Sequence, residues 1–395
     1  MSKLFKRFGS SSESNIQTVP EKVTSTEDEE TLTESKKDIL MHLIKQIKVG
    51  SEIKHIALPC FLLQPRSLLE SLTDNFNCLE ELFKIQTIEN EQERFIQFIK
   101  FSLSAWNTRP KGIKKPFNPI IGETYDCFWD SGDSNGDSHF ISEQISHHPP
   151  HSAFCFYNKK EGIIVNANLS TNYVKFYGNF AESSLKGTIV YHFLRTNDTY
   201  EMTMPTIGVR GILLGKLGSY VNGKTVIRKM GTSYTANIEF LSKSIVGSSK
   251  HHNGVKGTID FENKHLYKIK GNWDNQVIIS PISHGSDIVL LNVHNVKLYP
   301  HKSIPFDQRP ETDSSHIWKI VEEGILSNND QVTSKEKQRI EENQRKDEQY
   351  RKDNGIKWVP KNFVLKGNPL DFPPNYVYKE LENIFPEVYA SKPTS

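Results

Sequence analysis

Two adjacent histidines followed by two prolines make the chemically most pointed stretch of the chain, Glu143-Gln144-Ile145-Ser146-His147-His148-Pro149-Pro150. Proline fixes its own φ and drives the preceding residue out of the helical region, so His148 is expected in extended backbone. Two imidazoles on stiff, non-helical backbone suit the grasp of an anion or a metal ion better than the filling of a core. The same residues are also those of a polar turn at the end of a strand, and spacing alone leaves both readings open. Far downstream, Lys337, Glu341 and Arg345 fall four apart. On a helix each step of four rotates by roughly 40° and rises about 6 Å, so the three share one side. Two cations there can meet the oxygens of one anion, while Glu341 can only hold its neighbours in place. Such a spacing is common, and its bland meaning is a solvated face laced with weak ion pairs.

The enzymatic alternative is a metal-dependent phosphoesterase, with Glu143, Asp126 and Asp137 joining His147 and His148 around a divalent ion. Against it, neighbouring side chains on a strand point to opposite faces, and no His-x3-His or His-Glu-x2-His spacing supplies further ligands. The expectation is no metal, no other cofactor and no catalytic residue.

The elements that carry these residues follow from composition and periodicity. Residues 1–35 are rich in Ser, Thr and Glu, with an acidic cluster at Glu27-Asp28-Glu29-Glu30. They hold too few apolar side chains to offset the entropy of ordering, and read as a disordered tail. Its first eight residues mix Leu4, Phe5 and Phe8 with Lys3, Lys6 and Arg7, a weak membrane-touching pattern. Over 36–50, Ile39, Leu40, Leu43, Ile44 and Ile47 recur at helical spacing before Gly50. This segment is either an ordinary packing helix or a lid over an apolar opening. Residues 51–110 read as a helical segment, with an extended run between Pro59 and Pro65 and a helix from about Ser67. From 111 to 300, strand-like runs follow one another without helices, at 152–157, 162–169, 173–180, 187–194, 201–204, 233–240, 255–261, 266–273 and 287–298. The expected class is mainly β with flanking helices, as an antiparallel barrel wide enough for a ligand rather than a sandwich. Residues 301–395 add a charged helix over 333–352 and a proline-punctuated C-terminus, completing a domain of 36–395.

Three further blocks accompany the histidines. They are Lys115-Pro116-Phe117-Asn118-Pro119-Ile120-Ile121-Gly122-Glu123-Thr124, the run Pro205–Gly215, and the Lys337, Glu341 and Arg345 face continued by Trp358, Pro360 and Phe363. With Glu-Gln-Ile-Ser-His-His-Pro-Pro, this set resembles the oxysterol-binding-protein-related family from about Ile53 to Pro386, as a short, ligand-domain-only member. The resemblance implies a near-complete antiparallel β-barrel around an apolar lipid tunnel, closed by an N-terminal lid helix. It implies that Lys115, Asn118, His147, His148, Lys337, Glu341 and Arg345 converge on the head group of phosphatidylinositol 4-phosphate. Taken alone, Lys115 reads as a solvated loop lysine. Ile39, Leu43, Ile47, Leu62, Leu63, Ile212 and Leu213 are the expected lid and tunnel residues, although inward-facing core is the simpler account of most tunnel positions. The implied activity is lipid transfer, one lipid at a time, exchanging phosphatidylinositol 4-phosphate for a second lipid. Arg66-Ser67-Leu68-Leu69-Glu70 resembles the branch that carries phosphatidylserine more than the sterol-carrying branch, so phosphatidylserine is favoured and sterol is the alternative. A phosphoinositide or sterol sensor or scaffold without net transport is the other binding reading.

Composition narrows the setting. No run of about 18 apolar residues could span a bilayer as a helix. The start lacks a long apolar stretch and has Ser2 in place of glycine, arguing against a signal peptide and N-myristoylation. The four cysteines lie far apart, which suggests reduced thiols. A net charge of +2 is too small to imply a nucleic-acid partner. A cytoplasmic monomer is expected, in transient peripheral contact with membranes, including contact sites of the endoplasmic reticulum.

Overall fold

The computed structural model describes residues 29–51, 58–108, 114–130, 136–242, 253–367 and 374–389. The tail up to residue 28, with its basic and aromatic start, lies outside the described residues. The fold begins sooner than residue 36, because β1 (Glu29–Thr31) pairs antiparallel with β11 (Lys216–Lys229). Helix α1 (Glu34–Ile44) starts where the Thr33 hydroxyl accepts the Lys36 N–H. It stops before Gly50, since Gln46 and Ile47 donate to carbonyls three residues back and tighten the last turn. There follow β2 (Leu63–Ser67), α2 (Leu68–Ser71), α3 (Leu79–Lys84) and α4 (Glu91–Ser104).

Strands then dominate: β3 (Lys115–Phe117), β4 (Thr124–Trp129), β5 (Ser138–His147), β6 (Pro150–Asn158), β7 (Ile163–Phe176) and β8 (Phe180–Phe193). Beside β11 stand β9 (Asp198–Thr203), β10 (Thr206–Arg210), β12 (Thr235–Leu241), β13 (Gly254–Phe261), β14 (Lys264–Asn272), β15 (Gln276–Pro281) and β16 (Ile288–Asn292). Fourteen of them form one sheet, running from β16 in descending order to β10, then from β8 to β4, with β9 bridging β8 and β11. Its registers are antiparallel throughout, and its two ends, β4 and β16, leave the barrel near-complete. The expected runs at 162–169 and 173–180 are one strand, β7, whose polar middle around Asn172 is a bulge rather than a turn. Likewise 287–298 holds only β16, after which Asn292 caps a short 3-10 turn.

The helices fill the barrel's concave side. Leu79, Leu82, Phe95, Phe98 and Phe101 share one buried cluster with Phe154, Phe156, Tyr191 and Tyr200. Phe98 stacks on Tyr200 at 4.4 Å between ring centroids. Truncating an aromatic in such a place costs about 3–5 kcal/mol.

After the sheet come α5 (Ser314–Ile317), α6 (Lys319–Leu326) and α7 (Asp330–Asp353), then the hairpin β17 (Phe363–Leu365) and β18 (Tyr376–Tyr378). Four distant segments meet on one carboxylate. Glu123 is fully buried and accepts the Ser67 hydroxyl, the Ser314 hydroxyl at 2.7 Å, the Trp318 indole N–H at 2.9 Å and the Ile120 N–H at 3.0 Å. Burial drives its pKa upward, and the four donors oppose that rise without cancelling it. Glu123→Gln keeps two acceptor contacts and lets both serine hydroxyls turn round to accept, so a cost of about 1 kcal/mol is expected in chemical denaturation. Glu123→Leu strands four polar groups and should cost about 3–5 kcal/mol; equal losses for the two variants would refute this account.

Candidate functional site

Lys115 opens β3, which lies parallel to β2, and the turn after it leads to Glu123. Gly122 makes that turn at φ +77, and a Cβ there would stand 2.5 Å from the Trp358 ring, so glycine alone admits the indole. Gln144 bonds this same turn from β5, its carbonyl accepting the Gly122 N–H at 2.9 Å. His147 ends β5 opposite Pro150, with a cis peptide bond between His148 and Pro149. Adjacent imidazoles on a straight strand would diverge, yet here the strand has ended. The two rings stand edge to face, 4.8 Å apart.

His147 Nδ1 donates to the Pro119 carbonyl at 3.1 Å, leaving Nε2 for a ligand. His148 is exposed, its Nδ1 2.9 Å from the Glu348 carboxylate on α7. That helix is pinned from beneath. Ile340 packs with Leu63, Phe117, Trp318 and Val321, and buried Gln344 accepts the Ile121 N–H at 3.0 Å. The face this fixes carries Lys337 in an ion pair with Glu341. Lys337 and Glu341 both act on the Lys115 ammonium, and Glu341 acts on His147 as well, so these four side chains share one electrostatic neighbourhood. Arg345 is exposed one turn further along.

Lys115 keeps an accessible surface, but protein surrounds it on enough sides to strip hydration. That desolvation, with Lys337 adding repulsion, pushes its ammonium down to about 8. Burial, and then His148, hold His147 below the usual imidazole value; the Pro119 carbonyl and the Glu348 and Glu341 carboxylates pull the other way. The site thus holds cations whose charge is poorly compensated, which is what a receptor for an anion requires.

Asn118 is exposed in the turn after β3. It borders a cavity of about 10 Å³ with Leu68, Leu72, Leu169 and Leu185. The lid residues divide. Leu40 is buried, and it clusters with Phe61, Leu62, Phe176, Ile212 and Leu217, joined by Ile44 and Ile47. Ile39 and Leu213 are instead exposed at 45% and 44%, and Leu43 is half-buried. The inward stripe is therefore 40, 44 and 47, an i, i+4, i+7 pattern that was present in the sequence beside the flanking 39 and 43. Leu63 belongs under α7 rather than to the lid. Among the described residues, no three His, Cys, Asp or Glu side chains gather to hold a metal ion. Glu143, offered as a ligand in the phosphoesterase alternative, accepts the Lys361 and Asn362 N–H groups at 2.8 and 2.7 Å.

A family model described as oxysterol-binding protein matches residues 42–327. The chain is 47% identical over 400 residues to oxysterol-binding protein 12 of Dictyostelium discoideum, covering 93% of this chain and 99% of that protein. To oxysterol-binding protein-related protein 8 of Mus musculus it is 32% identical over 340 residues, 85% of this chain and 38% of that one. The fold matches the Osh1 ORD domain crystallised in complex with cholesterol, at TM-score 0.72 and 18% identity over 95% of this chain and 93% of that one. It also matches Osh3 ORD in complex with PI(4)P from Saccharomyces cerevisiae, at TM-score 0.64 and 19% identity over 92% and 94% of the two chains.

The perturbed cations give a pH signature. A phosphomonoester raises the pKa of each cation it meets, so binding takes up protons and must weaken as pH rises. Affinity for vesicles bearing such a head group is expected to fall first as pH rises and His147, whose pKa lies below the usual imidazole value, loses its proton. A second fall is expected above about 8, as Lys115 loses its own. Lys115→Met should remove the second fall. A pH profile identical to that of the unmutated chain would contradict the assignment.

Proposed function

The chain belongs to the oxysterol-binding-protein family, one of lipid-binding and lipid-transfer proteins rather than enzymes, and we propose that it exchanges phosphatidylinositol 4-phosphate for a second lipid between membranes. The observation that carries this is a single juxtaposition. Lys115, Lys337 and two imidazoles share one electrostatic neighbourhood, and Asn118, three residues on from Lys115, borders a small cavity of about 10 Å³ where four leucines meet Gln144, Ser152 and Thr171. The cations suit an anionic head group, and the leucines are the apolar surface next to it.

The phosphomonoester would replace Glu341 and Glu348 as the partner of Lys337 and His148, with Lys115 and His147 completing its shell and Arg345 reaching in from the next turn. Each methylene withdrawn from water contributes about 0.8 kcal/mol, so the chains supply affinity while the cations choose the head group. Entry requires α1 to leave Phe61, Leu62 and Ile212, since its stripe covers them. That contact is modest enough to open and close, as a lid must.

Phosphatidylserine remains the favoured second lipid by resemblance of residues 66–70 alone. Arg66 there pairs with Asp74, while Ser67 caps α2 and donates to Glu123, so both hold the fold together. No helix among the described residues is long and apolar enough to cross a membrane. The setting this reading takes is a cytoplasmic monomer that meets membranes peripherally.

Transfer between liposomes tests the proposal. The unmutated chain should extract phosphatidylinositol 4-phosphate and move phosphatidylserine in exchange. The double variant His147→Ala/His148→Ala should lose phosphoinositide extraction at least about tenfold, two charge-assisted contacts being gone. Sterol movement without phosphatidylserine would replace the second lipid, and binding without any movement would make the protein a sensor.

A further inference from the structure

Beyond the histidine pair, away from Lys115, the last two turns of α7 and the segment after it enclose an open cavity of about 380 Å³. That is within the size range of small-molecule sites, about 300–1,000 Å³. Its lining includes His147, Gln344, Glu348, Arg351, Lys352 and Lys357. We propose that this cavity is a second oxyanion subsite, which takes a phosphate group on Arg351, Lys357 and the Gln344 amide.

Three observations carry this. The first is charge. The cavity's carboxylate, Glu348, is already shared between His148 at 2.9 Å and Lys352 at 3.1 Å. Arg351 and Lys357 form no ion pair among the described residues, so the cavity holds two uncompensated cations besides its imidazoles. The end of α7 opposes an anion through its terminal carbonyls, but that amounts to only about half a charge.

The second is an orphan donor. Gln344 is 4% exposed, and its Oε1 is engaged by the Ile121 N–H at 3.0 Å. Its Nε2 is buried without a partner. Buried N–H groups without acceptors are rare because each is costly, and since Gln344 lines the cavity, a small shift of its amide would bring this donor to an oxyanion held there.

The third is preorganisation. The Arg351 guanidinium lies over the Trp358 ring, 5.5 Å from its centroid, and that ring is itself wedged against Gly122. A stacked guanidinium keeps its edge N–H groups free and aimed, the arrangement that binds phosphate oxygens with little loss of entropy.

The phosphate could be carried by a soluble molecule or by a lipid head group in a bilayer, and one experiment separates them. Inositol 1,4,5-trisphosphate is titrated calorimetrically into the full chain, into Arg351→Ala/Lys357→Ala and into Lys115→Met. Cosedimentation with neutral vesicles, and with vesicles containing phosphatidylinositol 4-phosphate, runs in parallel. The expected result is binding of the soluble probe that falls at least about tenfold in the Arg351/Lys357 variant and weakens with salt. Lys115→Met, outside the cavity but within the head-group cluster, should lose only that cluster's share of the binding, and combining it with Arg351→Ala/Lys357→Ala should lose more than either variant alone. If cosedimentation falls together with probe binding, the subsite serves a lipid head group; if it stays unchanged, the subsite serves a soluble phosphate. Probe affinity equal in the Arg351/Lys357 variant and the unmutated chain, or absent from both, overturns the inference. These outcomes do not depend on lipid exchange, since a chain that moves no lipid can still bind the soluble probe through Arg351.

Discussion

A buried carboxylate holds this protein's binding face in register. Glu123 gathers donors from the start of α2, from its own turn, from α5 and from α6. The turn it organises carries Asn118 and Pro119, and α6 is the platform on which α7 rests. Lys115 is therefore set near Lys337 and Glu341 by a contact that touches no ligand. Its strength is conditional. Removing one partner from such a fully donated carboxylate leaves charge or donors stranded in a dry interior, which is worse than never having buried them. Glu143 repeats the device on the other flank, tying residues 361 and 362 to β5, so the histidine hairpin is held from two sides.

The face so held is poorly compensated in charge, and that has a physical cost. A lysine pushed down to about 8 and an imidazole kept below its usual value by burial are both groups that would be more stable in water. Glu341 and Glu348 relieve part of the strain by pairing with Lys337 and His148. Both are partly exposed pairs, weak enough for a stronger anion to displace. The ligand-free site is thus preorganised but self-occupied. On the function proposed above, a dianion would be preferred to a phosphodiester, because only the more highly charged group recovers the cost of breaking those pairs.

Much of this was legible in the chain, unevenly and for identifiable reasons. The charged composition of 333–352 is a local rule and the helix it predicts is present, whereas His148, expected in extended backbone, lies in the tight turn between β5 and β6, where the cis bond to Pro149 reverses the chain. The antiparallel sheet was legible from repeated turns, but β11 was hidden: its glycines at 218 and 223 and its lysines interrupt the apolar alternation, and its partners are β1, β9, β10 and β12. The lid's existence could be read, while its buried stripe could not be chosen between 39/43 and 40/44 without knowing where Phe61 and Ile212 stand. Gln344, Glu348 and Arg351 were invisible as site residues, because within a helix of alternating charge nothing local marks which face meets the histidines. Glu123 was quoted as part of a block, yet three of its four donors come from outside that block, at Ser67, Ser314 and Trp318, and no spacing rule connects them.

The most direct test of the account is native mass spectrometry of the full chain purified from a eukaryotic host, with lipid extraction to identify whatever is bound. One phosphatidylinositol 4-phosphate or one phosphatidylserine per chain is expected, with the phosphoinositide form lost in His147→Ala/His148→Ala. A chain that never retains lipid, or whose lipid complement is unchanged when both imidazoles are removed, would contradict the claim that this cationic face selects the head group of a carried lipid.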